Sequence, residues 1–203
     1  MRSSFFAYLG RLKWIKRWGL MRNVEEENVM EHSWQVATIA HTLAVIHKQE
    51  FSGDIDVDKV ATTALYHDVS EIITGDLPTP IKYHSEKIQS AYKAIETEAE
   101  IELLGLLPES LRPYYEDLLL HSKVDEKIAR FVKAADLISA YQKCQAEMQA
   151  GNQEFKIALS DLELRIRQLA MPEVERFMSL FNESYLLTLD ELLSDHERKL
   201  QSD

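Results

Sequence analysis

Apolar positions along the chain recur at three- and four-residue spacing, and no stretch alternates with the period of a strand. Val36, Ile39, Ala40, Leu43 and Ile46 form one helical stripe, Val57, Val60, Ala61, Ala64 and Leu65 a second, and Ile88, Tyr92, Ile95, Ala99 and Leu103 a third. Gly105 and Pro108 end the third helix. A short helix follows near Ser110 to Leu120, then a long one from Asp125 to Met148 closed by Gly151-Asn152, one on Phe155, Leu159, Leu162, Ile166 and Leu169, and a last one opening at Pro172-Glu173. Connections are short, with no repeats or Gly/Ser linkers. The pattern predicts one compact all-α domain over residues 1–193 and a polar, fraying tail over 194–203.

Composition supports this and narrows the chemistry. With 203 residues, 45% of them hydrophobic, and little Gly or Pro, the chain can bury a core and is not a disordered or collagen-like polymer. The single cysteine, Cys144, leaves no intramolecular disulfide and no cysteine-based zinc site, and it fits the reducing cytoplasm. Any metal must therefore be held by His, Asp or Glu. No run approaches the roughly 18 apolar residues that span a bilayer, so no membrane partner is expected. Residues Phe5 to Trp18 mix aromatic and aliphatic side chains with Arg11, Lys13, Lys16 and Arg17, which interrupts a signal-peptide core and leaves an amphipathic presequence or surface anchor as the alternative.

Charge is distributed unevenly around a net −11. Arg2, Arg11, Lys13, Lys16, Arg17 and Arg22 precede the first acid, Glu25, so 17 basic residues face 34 acidic ones in the remainder. Such a body repels polynucleotides, whereas a small phosphorylated molecule needs only one or two placed cations. The basic segment 1–24 is the place for them. Most of its cations read as solvated side chains, and Arg17 stands apart because it adjoins Trp18.

Three places break the hydrophobic logic. His32 lies one helical turn before Val36 and points along the apolar stripe, while His41 faces the opposite way. Taken alone, a core histidine bonded to a carbonyl is the simpler explanation of His32. In Tyr66-His67-Asp68-Val69-Ser70-Glu71, extending the second helix at about 100° per residue puts His67, Asp68 and Glu71 in the middle of its buried face. Unpaired buried charges cost several kcal/mol each, and a divalent cation held by His67 and Asp68 would compensate them, leaving Glu71 free to hold a proton. In the long helix, Asp136 sits at the edge of the stripe of Ile128, Val132, Ala135 and Ser139. By itself it signifies little.

His, then His-Asp, then a distant Asp, each on its own helix, resembles the metal-binding signature of the HD-domain superfamily of phosphohydrolases. Phe5-Phe6, Arg11-Leu12, Arg17-Trp18, Met21 to Val24, Glu27-Asn28-Val29, Glu31-His32-Ser33, Tyr66-His67-Asp68, Glu71, and Thr74 to Tyr83 are similar to the bacterial HD-domain 5′-deoxynucleotidases. Lys133 to Asp136 and Ala150-Gly151-Asn152 extend the likeness, while the chain beyond Asn152 carries little that is diagnostic.

The resemblance implies an HD-domain helical bundle with its metal-binding core at about 28–150, and one divalent cation on His32, His67, Asp68 and Asp136. That nitrogen and oxygen donor set admits Mn²⁺, Co²⁺, Fe²⁺, Ni²⁺ or Zn²⁺. It further implies Glu71, Asp68 and Arg17 as catalytic residues, with Glu71 the acid/base and Arg17 on the phosphate. Arg17, Trp18, His32, Asp68, Asp76, Leu77, Pro78, Thr79 and Asp136 would bind substrate, Trp18 crowding a ribose 2′-hydroxyl and Asp76 accepting from the sugar 3′-hydroxyl. The implied reaction is hydrolysis of deoxyribonucleoside 5′-monophosphates, tolerant of the base, by a cytoplasmic homodimer. Surplus apolar surface on the Phe155 to Leu169 stripe and on Phe177, Phe181 and Tyr185 also suits a dimer, unless both helices complete the core. The alternatives are another nucleotide substrate (a triphosphate, a cyclic nucleotide or an alarmone) or a non-catalytic nucleotide sensor.

Overall fold

A computed structural model of the chain describes residues 2–200, with side chains described as far as Ser194. Helices α1 (Phe5–Leu9), α2 (Val29–Glu50), α3 (Val57–Tyr66), α4 (Glu71–Thr74), α5 (Thr79–Lys82) and α6 (Glu86–Gly105) form the first half. The second half contains α7 (Glu116–Leu119), α8 (Glu126–Gln149), α9 (Lys156–Gln168), α10 (Pro172–Phe177) and α11 (Leu189–Leu200). Among the described residues there is no strand, only one antiparallel bridge between Lys16 and Asn28. The all-α expectation holds.

Side-chain caps start the long helices where polar residues precede apolar stripes. Asn28 accepts from the amides of Met30 and Glu31 at 3.1 Å, Asp56 from Lys59 at 2.9 Å, and Asp125 from Lys127 and Ile128 at 2.9 and 3.1 Å. Each such cap contributes about 1 kcal/mol and fixes the register of the helix behind it. For α2 this places His32 one turn inside the bundle.

Helix α2 is central, packed on α3, α8 and α10, with α9 against α8. Val36, Ile39, Ala40 and Leu43 meet Val60 and Ala64 of α3 and Phe131, Ala134, Ala135 and Ile138 of α8. Alanines at these contacts let the helices approach closely around the site. A second cluster of Phe5, Val69, Leu103, Leu107 and Leu119 fastens α1 and the turn after α3 to α6 and α7.

Several expectations change. The short helix near Ser110 to Leu120 is a 3₁₀ turn, Arg112–Tyr114, followed by α7, because Pro113 is tolerated only where its missing N–H is not required. Leu65 and Ile95 are 44% and 49% exposed despite their places in the stripes. Helix α6 flanks the bundle against α4, α5 and α7, which leaves its Ile95 half-exposed. The Phe155 to Leu169 stripe is consumed by the core, with Phe155, Leu162 and Ile166 buried. Helix α11 runs into the expected 194–203 tail, whose residues 201–203 lie outside the described residues.

The N-terminal segment straps across this bundle. Val29 donates to Ile15 O at 3.0 Å and Arg17 to Glu27 O at 2.9 Å, pairing the strap with the entry to α2. The Asn152 amide holds Arg22 O at 2.7 Å.

Candidate metal centre and adjoining cavity

Helix α3 ends at Tyr66, so the turn His67–Ser70 replaces the continuous helix that the wheel assumed. His67 Nδ1 takes the Ala64 carbonyl at 2.7 Å, and amides in the turn reach back only three residues, as in Val69 to Tyr66 O at 3.1 Å. A tightened turn still aims His67, Asp68 and Glu71 inward.

His32 of α2 and His67 and Asp68 of the turn converge, and Asp136 of α8 joins them through its approach to His32. One ligating atom from each of His32, His67 and Asp68 lies within 4.8 Å of the others. His32 Nε2 stands 3.3 Å from Asp136 Oδ1 and 3.5 Å from Asp68 Oδ2, and His67 Nε2 stands 3.1 Å from Asp68 Oδ2. The imidazole tautomers follow from their outer partners. Ser139 Oγ gives its proton to Gln35 Oε1 at 2.6 Å and so accepts from His32 Nδ1 at 3.1 Å; Ala64 O can only accept from His67 Nδ1. Both Nε2 atoms thus face the two carboxylates. Both are buried with no well-formed hydrogen bond, as is Glu71 Oε2.

These unsatisfied donors fit a divalent cation. Burial disfavours charge on His67, but Asp68 and then Asp136 override it and raise the ring's affinity for a proton, which a cation would displace. Asp68 is likewise penalised by burial, yet His67, His32 and Arg17 hold it well below the carboxylate range. For Asp136, Lys133 and then His32 and His67 overcome burial in the same direction, with Lys133 Nζ 2.7 Å from Oδ2. Glu71 goes the opposite way: burial, then Asp68 and Asp76, push it up to about 9.

Arg17 reaches this cluster from the strap, its guanidinium 3.4 Å from Asp68 Oδ2. A single oxygen, Oε2 of Glu27, accepts from Arg17 Nε at 2.9 Å and from the Trp18 indole at 3.0 Å. Burial opposes charge on Arg17, but Asp68, Glu27, Asp136 and Asp76 raise its pKa further. Trp18 packs on Phe155 with ring centroids 5.3 Å apart and holds φ at +59°, a left-handed conformation costing about 1–3 kcal/mol in a non-glycine residue. Spacing along the chain does not reveal Glu27 as the residue that orients both neighbours; its sequence signals are an acid just before the α2 cap and its place in the Glu27-Asn28-Val29 segment of the family resemblance.

Arg17, Trp18 and Asp76 continue from the cluster into a cavity of about 510 Å³ that Met21, Pro78, Thr79, Tyr83, Ala158 and Leu162 also line. Gly75, at φ +70°, turns the chain into this wall, and its carbonyl accepts from Tyr92 Oη at 3.1 Å. Burial pushes the Asp76 carboxyl up, Arg17 opposing. Leu77 is half-buried and is not part of the cavity wall. A second hollow of about 610 Å³ involves Glu25, Glu26, Glu27 and Glu31 with Trp34 but not Arg17, the residue that joins the first cavity to the cluster, and its acidity suits no phosphate.

Among solved structures, an HD-domain phosphohydrolase from Listeria innocua superposes with a TM-score of 0.79 at 22% identity, covering 98% of this chain and 97% of that one. The cyanophage S-2L HD phosphohydrolase DatZ, bound to dA and one catalytic Zn²⁺ ion, gives 0.52 at 21% identity over 98% and 96%. Both show the shared fold. A 5′-deoxynucleotidase from Cronobacter sakazakii is 48% identical over 194 residues, 96% of this chain and 98% of that protein, and one from Vibrio vulnificus is 46% identical over 190 residues, 94% and 98%. No helix among the described residues is long and apolar enough to cross a membrane. Residues 4–185 match the YfbR-like 5′-deoxynucleotidase family, the subgroup that Arg17-Trp18 and the Gly75 to Pro80 segment resemble, and the chain belongs to it.

Proposed function

We propose that this chain is a metal-dependent phosphomonoesterase that hydrolyses deoxyribonucleoside 5′-monophosphates to deoxynucleoside and phosphate. The observation that carries the reading is the convergence of two imidazole Nε2 atoms and two carboxylates beside a buried guanidinium, that of Arg17, which also lines a cavity with Trp18 and Asp76.

In this reading His32, His67, Asp68 and Asp136 hold the cation. When bound, it supplies Lewis acidity toward a phosphoryl oxygen and toward water. Arg17, oriented by Glu27, binds phosphate oxygens through its planar fork. Glu71, whose burial favours its protonated form, delivers a proton to the departing 5′-oxygen of the sugar. Asp76 accepts from the 3′-hydroxyl, and the Trp18 ring, fixed by Glu27 and Phe155, occupies the space a 2′-hydroxyl would need. Pro78 and Thr79 form the neighbouring wall, with Leu77 the link between them and Asp76.

The remaining cations support a monophosphate. Arg11 stacks on Trp14, Lys16 pairs with Glu26, Arg22 with Glu154 and Lys82 with Glu96, and of these cations Arg17, itself held by Glu27 and Asp68, is the one that joins the cluster to the cavity, where it meets a phosphate. A triphosphate or an alarmone would ask for more cations, and a cyclic nucleotide for a second metal's ligands. The outer cavity is largely apolar, and its polar pair, Asp161 and Arg165, is self-engaged at 3.8 Å, consistent with tolerance of every base. Co²⁺ and Mn²⁺ suit the donor set. Exposed Phe181 and Tyr185 favour a homodimer, and nucleotide turnover belongs in the cytoplasm.

The test is metal content alongside phosphate release from dAMP. His67→Ala and Asp136→Ala are expected to lose both. Retention of metal and turnover by either variant would overturn the ligand set.

A further inference from the structure

The turn that carries His67 and Asp68 contains a carbonyl with no helical partner. In a continuous helix the Glu71 amide would satisfy His67 O, but here that amide donates to Asp68 O at 3.1 Å. His67 O instead receives His121 Nε2 at 3.0 Å, from the 3₁₀ turn that follows α7. His121 is itself fixed by Glu100 of α6, a fully enclosed carboxylate. Its Oε1 lies 2.6 Å from His121 Nδ1, and its Oε2 accepts the His121 amide at 3.0 Å. A carboxylate and a carbonyl are both acceptors, so the ring donates from both nitrogens. His121 lies outside the metal cluster, and the nucleotide reading gives neither it nor Glu100 a role.

We infer that the Glu100–His121 pair is a positioning device for the cation site, clamping the His67 peptide so that two consecutive ligands are presented from a turn rather than from a helix. This rests on the proposed cation site. Outer groups that fix a ligand typically govern metal affinity by roughly 10–100-fold, and here the outer group fixes the backbone of one ligand and the peptide leading to the next. Glu100 is the sort of acid that a solvated helix would leave exposed, and its burial is explained by the clamp.

Saturable Co²⁺ binding to the full chain, titrated by visible absorption and by calorimetry, tests the inference together with melting of the metal-free protein. His121→Ala is expected to weaken Co²⁺ binding by roughly 10–100-fold, Glu100→Gln to weaken it in the same direction, and His121→Gln, whose amide can still donate to His67 O, to restore most of the affinity. Metal-free His121→Ala is expected to melt lower because Glu100 Oε1 loses its partner, so the deciding readout is Co²⁺ affinity and its recovery in His121→Gln. Affinities equal to wild type within about twofold in both His121→Ala and Glu100→Gln would overturn the clamp, even if metal-free melting fell, since that pattern marks a purely structural contact. Absence of saturable Co²⁺ binding in the unaltered protein would overturn the cation site and the clamp with it, so the two failures are distinct.

Discussion

Replacing Glu147 by glutamine isolates what holds the N-terminal strap to the bundle. Glu147 is 2% exposed in α8, yet its carboxylate accepts the Val24 amide at 2.9 Å, the Glu25 amide at 3.1 Å and the Asn152 side chain at 2.7 Å, and it pairs with Lys143. Burial alone would raise its pKa. Lys143, Val24, Asn152 and Glu25 overcome that and bring it from 4.5 to about 2. At 1.36 kcal/mol per pH unit, the charged form is favoured by about 3 kcal/mol in the folded state. Glutamine keeps the shape but turns an NH₂ toward donors, so urea unfolding at pH 7 should show a loss of about 3 kcal/mol. Because the folded value lies below the unfolded one, this stability is present above about 4.5 and is lost as pH falls toward about 2. The two proteins should therefore converge on acidification. The strap carries Arg17 and Trp18, so KM for dAMP should rise in the variant. A difference below about 0.5 kcal/mol at pH 7, or one constant from pH 7 to pH 3, would refute the latch.

Glu71→Gln is expected to keep its metal while turnover falls by about 10²–10⁴-fold; near-normal turnover would remove Glu71 from proton transfer. In the metal-free protein the same change should become progressively more favourable to stability as pH rises from about 4.5 to about 9, because the folded wild type keeps a proton that the unfolded chain releases. Unfolding curves with the same pH slope would contradict that burial. Trp18→Ala should narrow the rate ratio of dAMP to AMP by roughly tenfold, and an unchanged ratio would exclude Trp18 from sugar selection. Gly75→Ala meets no atom within 4 Å, so its predicted cost of about 1–3 kcal/mol and its raised KM come from φ +70° alone; wild-type melting and KM would disprove the strain argument.

The helices and their inward-facing polar groups are legible in the sequence because burial and periodicity disagree at a few positions. His32 continues the stripe of Val36, and His67, Asp68 and Glu71 continue that of Val60 and Ala64, so their polarity stands out against an apolar face. The end of α3 is less legible. The wheel assumes that Ala64 O bonds the next turn's amide, whereas the His67 ring competes for it. Glu27, Ser139, Glu100 and Glu147 escape a linear reading because each is justified only by partners on other elements. Ser139 meets His32 across 107 residues, and Glu147 meets Val24 across 123. Ile95 escapes for the converse reason: a helical stripe says which face is apolar, not whether another helix will cover all of it.

Phosphate release by chelator-stripped protein, with single divalent metals restored, tests the central claim most directly when run on dAMP, AMP, 3′-dAMP, dATP, a cyclic nucleotide and guanosine tetraphosphate. Metal-dependent release from dAMP alone is the predicted result. Silence on dAMP with turnover of another member, or release from dAMP that survives complete removal of metal, would contradict it.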